Sequence, residues 1–182
     1  MLMKKELIYI LIILLVIGLS GCSNVVQHTD PFYNDDGGDD FPYTQFPLIK
    51  PYYVYTMDVG SPWIIELLGT NGGLHVTAPK NEEGAVYSYD VWDVRKIDVQ
   101  EGIIMAYSPY VNDEVPQSIQ DNYYHWFVIV PDEQNTMGFH DENAFQAYIQ
   151  KLGIQNPDWQ TPKDAINQFE NTGCLPWIPD CK

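Results

Sequence analysis

The chain has 182 residues, with 25 acidic against 9 basic side chains, a formal net charge of −16 and Arg95 as its only arginine. A surface this acidic repels phosphate backbones and lacks the basic stripe that nucleic-acid binding needs, so that class of function is excluded. The length suits one ordinary domain with a leader or tail, and 45% hydrophobic residues suffice for a core.

The N-terminus carries Lys4 and Lys5, then an uninterrupted apolar run from Leu7 to Gly18, then Leu19-Ser20-Gly21-Cys22. As a helix the run would span about 18 Å, well short of a hydrocarbon core of roughly 30 Å. No cationic stop-transfer cluster follows. A positive start, a short apolar stretch and small residues at its end are the geometry of a secretory signal. Leu19-Ser20-Gly21-Cys22 resembles the lipobox of bacterial lipoproteins. The resemblance implies cleavage before Cys22, a thioether-linked diacylglyceryl group on its sulfur, and attachment to the extracytoplasmic face of the bacterial cell membrane. Residues 1–21 would then be a cleaved signal peptide, and the membrane a partner through the lipid on Cys22. Two or more acyl chains, at about 0.8 kcal/mol per buried CH₂, anchor durably where one does not.

Residues 22–50 read as an acidic, flexible tether rich in Asp, Gly and Pro, with a span of roughly 30 Å. Asp35, Asp36, Asp39 and Asp40 lack the order of a calcium loop, so no metal is expected there. A single domain is expected over 51–182. It opens with short β-rich runs at 52–57, 63–68 and 74–78, the last two joined by Thr-Asn-Gly-Gly as an expected hairpin. Residues 85–99 alternate as one long strand that turns through Gln-Glu-Gly into 103–108. "YYHWFVIV" (123–130) is aromatic and β-branched enough for a central strand.

Two helices close the chain. Phe145, Tyr148, Ile149 and Leu152 share one helical face, with Asp141 as N-cap and Gly153 past the end; Thr161, Pro162 and Gly173 repeat that grammar around Ile166 and Phe169. Strands first and helices last predict an α+β fold: a mostly antiparallel sheet of five to six strands with both helices on one face. After Cys22, the remaining cysteines form an even pair, Cys174 and Cys181, expected to close a C-terminal disulfide loop in an exported protein. A metal or redox role would need C-x-x-C spacing or nearby histidines, and the sequence offers neither.

No catalytic motif is present. His28, His75, His125 and His140 have no ligand spacing, no nucleophile elbow or phosphate loop occurs, and neither metal nor cofactor is expected. Asp132 and Glu133, after the 123–130 strand, are the natural pair for acid-assisted glycoside hydrolysis, against a plain turn reading. Thirteen tyrosines and five tryptophans exceed what a small core requires. Tyr52, Tyr53, Trp63 and Tyr110 are the candidate ligand-contact aromatics, suited to stacking on sugars or docking a protein. The expectation is a lipid-anchored, non-catalytic binding module of the cell envelope with a glycan or protein partner. The alternatives are a small surface hydrolase acting on cell-wall glycan through paired carboxylates, and a protective lipoprotein that inhibits a toxin or excludes a phage.

Overall fold

Two antiparallel layers share one buried interface in the computed structural model, which describes residues 25–34, 44–58, 60–67, 75–76, 90–114, 117–121, 123–133 and 135–181. The first sheet has the order β1-β2-β3, from β1 (Thr44–Pro47), β2 (Tyr53–Thr56) and β3 (Ile64–Ile65). The second has the order β4-β8-β7-β6-β5, from β4 (His75–Val76), β5 (Lys96–Gln100), β6 (Ile103–Tyr107), β7 (Trp126–Val130) and β8 (Asn135–Phe139). Only β4, parallel to β8, departs from antiparallel pairing among the described strands. The helices are α1 (Gln117–Gln120), α2 (Glu142–Lys151) and α3 (Pro162–Thr172). The fold is α+β with a C-terminal disulfide between Cys174 and Cys181, as the sequence predicts. The expected signal segment over 1–21, Cys22 and residues 35–43 lie outside the described residues.

The central strand is β7, as expected. Along β6 and β7, alternate residues enter different cores. Ile104, Ala106, Phe127 and Ile129 pack with the first sheet and with Ala165, Ile166 and Phe169 of α3. Ile103, Met105, Trp126 and Val128 pack with Phe145 and Ile149 of α2. The two helices therefore cover opposite faces of the sheet, which corrects the expectation of one shared face. The reason is legible in "IIMA" and "WFVI": continuous apolar runs mark strands buried on both sides, and each side needs a cover.

The expected tether gives way to the fold at Thr44: β1 pairs with β2 from Thr44↔Thr56 to Pro47↔Tyr53, and Phe46 and Leu48 are fully buried. Pro47 is tolerated because β1 is an edge strand. Within the same expected tether, Val26 N–H donates to Thr172 O at 2.9 Å, so residues 25–34 also belong to the folded body. The described residues do not form the expected hairpin between 63–68 and 74–78: β3 pairs with β2 and β4 with β8, in different sheets. Finally, of the long strand expected over 85–99, residues 90–95 stand outside β5, which begins at Lys96 after Asp93, at φ 53°, breaks the extended run. Residues 77–89 lie outside the described residues. The β5–β6 hairpin is as expected, with Glu101 (φ 50°) and Gly102 (φ 79°) forming a two-residue turn of the kind that matches strand twist.

Both helices are capped as the sequence predicts. The Asp141 side chain accepts from Ala144 N–H at 2.9 Å, and the Thr161 hydroxyl accepts from Asp164 N–H at 3.1 Å. Gly173, at φ 70°, ends α3.

Asp98 on β5 is buried and ties this edge strand to the 156–160 segment. Its Oδ2 accepts from Gln100 Nε2 at 2.8 Å and from Asp158 N–H at 2.9 Å. Burial pushes its carboxyl above the ordinary value of 3.8, although these donors pull the other way. The folded chain thus holds this proton more tightly than the unfolded chain. The resulting stabilisation is complete below 3.8 and is lost as pH rises through the raised value. Asp98→Asn removes the titration, so the wild type's stability relative to Asp98→Asn should fall as pH is raised from below 3.8 through the raised value in paired urea unfolding curves. A difference that stays flat or grows across that range would contradict this.

Candidate functional site

A groove of about 810 Å³ lies between the end of the first sheet and one face of α3. The helical wall is Lys163, Ile166, Asn167 and Glu170, positions three and four apart that share one face. The opposite wall comes from the β2–β3 loop (Asp58, Gly60, Ser61, Pro62), from Trp63, and from Asp93, Arg95 and Tyr110 near the ends of β5 and β6. Thr44 and Thr56, at the ends of β1 and β2, complete it.

Each functional side chain is set by a local device. The buried Thr56 hydroxyl lies 3.2 Å from Asp58 O and 3.1 Å from Ser61 O, and Ser61 N–H donates to Asp58 O at 3.0 Å, so the β2–β3 loop is tightly folded. Gly60 takes φ +94° within that turn. Trp63 is held by its carbonyl, which accepts from Val94 N–H at 2.8 Å, and by its ring, 5.9 Å from that of Phe46. Tyr110 is positioned by Ser108, whose buried hydroxyl donates to Trp92 O and accepts from Tyr110 N–H at 3.0 Å. The Trp92 and Tyr123 rings flank Tyr110 at 6.2 and 6.1 Å.

Electrostatically the groove differs from the rest of the protein. Arg95 Nε and Nη2 grip the two oxygens of Asp93 at 2.9 and 3.0 Å, a bidentate fork that fixes the guanidinium plane. With Lys163, Asp58 and Glu170 also present, the lining carries two cations and three anions, close to balance in a chain of net charge −16. Two aromatic side chains beside amide, hydroxyl and guanidinium groups can stack on and hydrogen-bond an uncharged polar ligand; a polyanion would meet the surrounding acid.

No family model, curated protein or solved structure matches this chain.

Of the four aromatics singled out in the sequence, Trp63 and Tyr110 meet in the groove. Tyr52 does not: it is 3% exposed and packed in the core. Tyr53, its strand neighbour, lies with its ring 4.3 Å from Phe32 and is not part of the groove lining. Asp132 and Glu133 sit exposed in the 3₁₀ turn Pro131–Glu133 between β7 and β8, away from the groove lining. His125 Nδ1 lies 3.0 Å from Ser108 O, and His140 Nδ1 lies 3.0 Å from Tyr123 O. Trp159 packs against Trp126 and Phe145, and Trp177 Nε1–H donates to Pro47 O at 3.0 Å. Sequence reasoning missed Arg95, Asp93 and Lys163 as site residues. The solitary arginine was a usable signal, whereas Lys163 enters the site only through helix placement.

The expectation that no histidine approaches the cysteine pair is corrected as well. His28 Nε2 lies 2.7 Å from Gly173 O and 3.6 Å from Cys181 Sγ. His28, Cys174 and Cys181 form a group with potential ligand atoms within 4.8 Å of one another. The two sulfurs are bonded to each other, and a metal would require them as thiolates, so the pair acts as a staple in this state. By loop entropy the short ring contributes about 2–3 kcal/mol. Replacing Cys174 and Cys181 together by serine should lower unfolding stability by that amount in urea titrations, and an unchanged midpoint would exclude the staple role. Among the described residues no helix is long and apolar enough to cross a membrane.

Proposed function

We propose that the protein is a lipid-anchored binding module of the bacterial cell envelope that takes an uncharged polar chain, of the glycan class, in the groove beside α3. The observation that carries this reading is the pairing of Trp63 and Tyr110 with a nearly charge-balanced, hydrogen-bonding lining on an otherwise strongly acidic protein. Sugar rings offer apolar faces to stack on aromatics and hydroxyls to bond amides and guanidinium groups, and they suffer no repulsion from the surrounding carboxylates. The anchor is Cys22, on its resemblance to a lipobox cysteine, and binding needs no turnover. The inhibitory reading draws less support, because a basic protein target would seek the acidic surface and not this nearly balanced groove.

Envelope glycan fragments should bind the purified domain in calorimetric titrations without release of cleaved products. Trp63→Ala should weaken binding about 30-fold, corresponding to about 2 kcal/mol for a stacking anchor. Tyr53→Ala, outside the groove, should leave the affinity unchanged. Release of shortened glycan would overturn the non-catalytic reading. Equal effects of the two substitutions would remove the groove as the binding site.

A further inference from the structure

We infer that the folded body lies directly against the lipid surface, with the C-terminal end of α3 and the disulfide loop as its membrane-facing pole. The inference rests on the reading of Cys22 as the lipid anchor and adds the orientation in which the anchor holds the domain. Its basis is the clasp made by residues 25–34. Val26 N–H donates to Thr172 O at 2.9 Å, and His28 Nε2 reaches Gly173 O at 2.7 Å. The clasp is closed on itself, since His28 N–H donates to Asn34 Oδ1 at 2.7 Å and Asn34 Nδ2 donates to His28 O at 2.6 Å. Its far end is pinned to the first sheet by Phe32 on Tyr53 and by Asp30, which pairs with Lys50 at 3.1 Å. The seat itself is closely fitted: a Cβ on Gly173 would collide with Val26 O, so only glycine leaves room for the chain.

Covalent geometry then limits the distance to the lipid. Three Cα–Cα steps separate Cys22 from Val25, a reach of at most about 11 Å. A free chain from Cys22 to Pro51 would instead span roughly 30 Å. Cys22 can therefore lie no farther than about 11 Å from Val25, whose neighbour Val26 is bonded to the end of α3. Val25 and Val26, 53% and 41% exposed, are the apolar side chains of the clasp nearest that attachment point. Along 170–180, the exposed Asn171, Thr172, Pro176 and Pro179 are uncharged, and Glu170 and Asp180 are the acids. The groove consequently opens near the membrane, since Lys163, at its far end, is only about 15 Å of helix from Gly173.

Neutron reflectometry of the mature, full-length lipoprotein on a supported bilayer tests this directly. The protein layer should begin within about 11 Å of the headgroups. The double variant His28→Ala/Asn34→Ala, which opens the clasp and leaves both sheets intact, should widen the solvent gap toward roughly 30 Å. Thermal unfolding shows whether the variant remains folded. A wild-type layer standing roughly 30 Å off the bilayer, or a folded variant with an unchanged gap, would overturn the inference. Mass spectrometry of the mature N-terminus separates the two levels of failure. An unacylated Cys22 refutes the anchor reading and the inference with it, whereas an acylated Cys22 beneath a distant layer refutes the inference alone.

Discussion

A chain beginning at Pro51 should not fold cooperatively, whereas one beginning at Thr44 should. The shorter chain loses β1, and with it Phe46 and Leu48, both fully buried among Val54, Ile65, Leu175 and Phe169. Phe46→Ala alone is expected to cost about 3–5 kcal/mol, because the first sheet and α3 both close on that ring and cannot collapse into the space it leaves. Losing the leucine as well brings the deficit to the scale of a whole domain's stability, about 5–15 kcal/mol. β1 also accepts the Trp177 indole N–H through Pro47 O at 3.0 Å, so its removal loosens the disulfide loop. Circular dichroism in the near ultraviolet and urea titration of the two chains would check the prediction. A sharp transition with an undiminished midpoint in the 51–182 chain would show that residues 44–50 are dispensable after all. Function follows the same link: the Phe46 ring backs Trp63 at 5.9 Å, so Phe46→Ala should also weaken glycan binding in whatever fraction remains folded.

On the other face of the central sheet, Phe145→Ala should destabilise by a similar amount, about 3–5 kcal/mol, with a different functional outcome. Phe145 is fully buried, stacked on Trp126 at 5.1 Å and flanked by Trp159 at 5.9 Å and Phe139 at 6.1 Å. Four aromatic rings interlock there, and truncating one opens a cavity that rigid neighbours cannot fill. None of the four lines the groove. The variant should therefore unfold at lower urea while the folded protein keeps its wild-type affinity. A drop in affinity matching that of Trp63→Ala would mean that the two cores are coupled through the sheet.

Local signals proved legible wherever the chain decides for itself. The caps at Asp141 and Thr161, the stop at Gly173, the Glu101-Gly102 turn, the central position of 126–130 and the Cys174–Cys181 pairing all depend on a few adjacent residues, and each is found as the sequence implied. The β8 strand was missed because "NTMGF" has no strand-like composition. Gly138 is there for closeness, since a Cβ would lie 2.5 Å from the Tyr124 ring. That requirement comes from a partner fourteen positions away, and no local pattern displays it.

For the groove, the sequence determined the parts and the fold determined the company they keep. Composition alone set an acidic body with one arginine, and the pattern of apolar residues set which segments become strands and helices. It could not say that Tyr52 would be buried while Trp63 and Tyr110 faced a common opening, nor that α3 would present Lys163 and Glu170 to them. Those facts depend on which layer covers which face. Similar amounts of apolar surface are buried whether two helices share a side or take opposite ones, and only the two-sided hydrophobicity of β6 and β7 breaks the tie. Likewise, Asp, Gly and Pro make up half of residues 29–48, but the average conceals Phe46 and Leu48, whose burial becomes favourable only once β2 and α3 are in place to receive them.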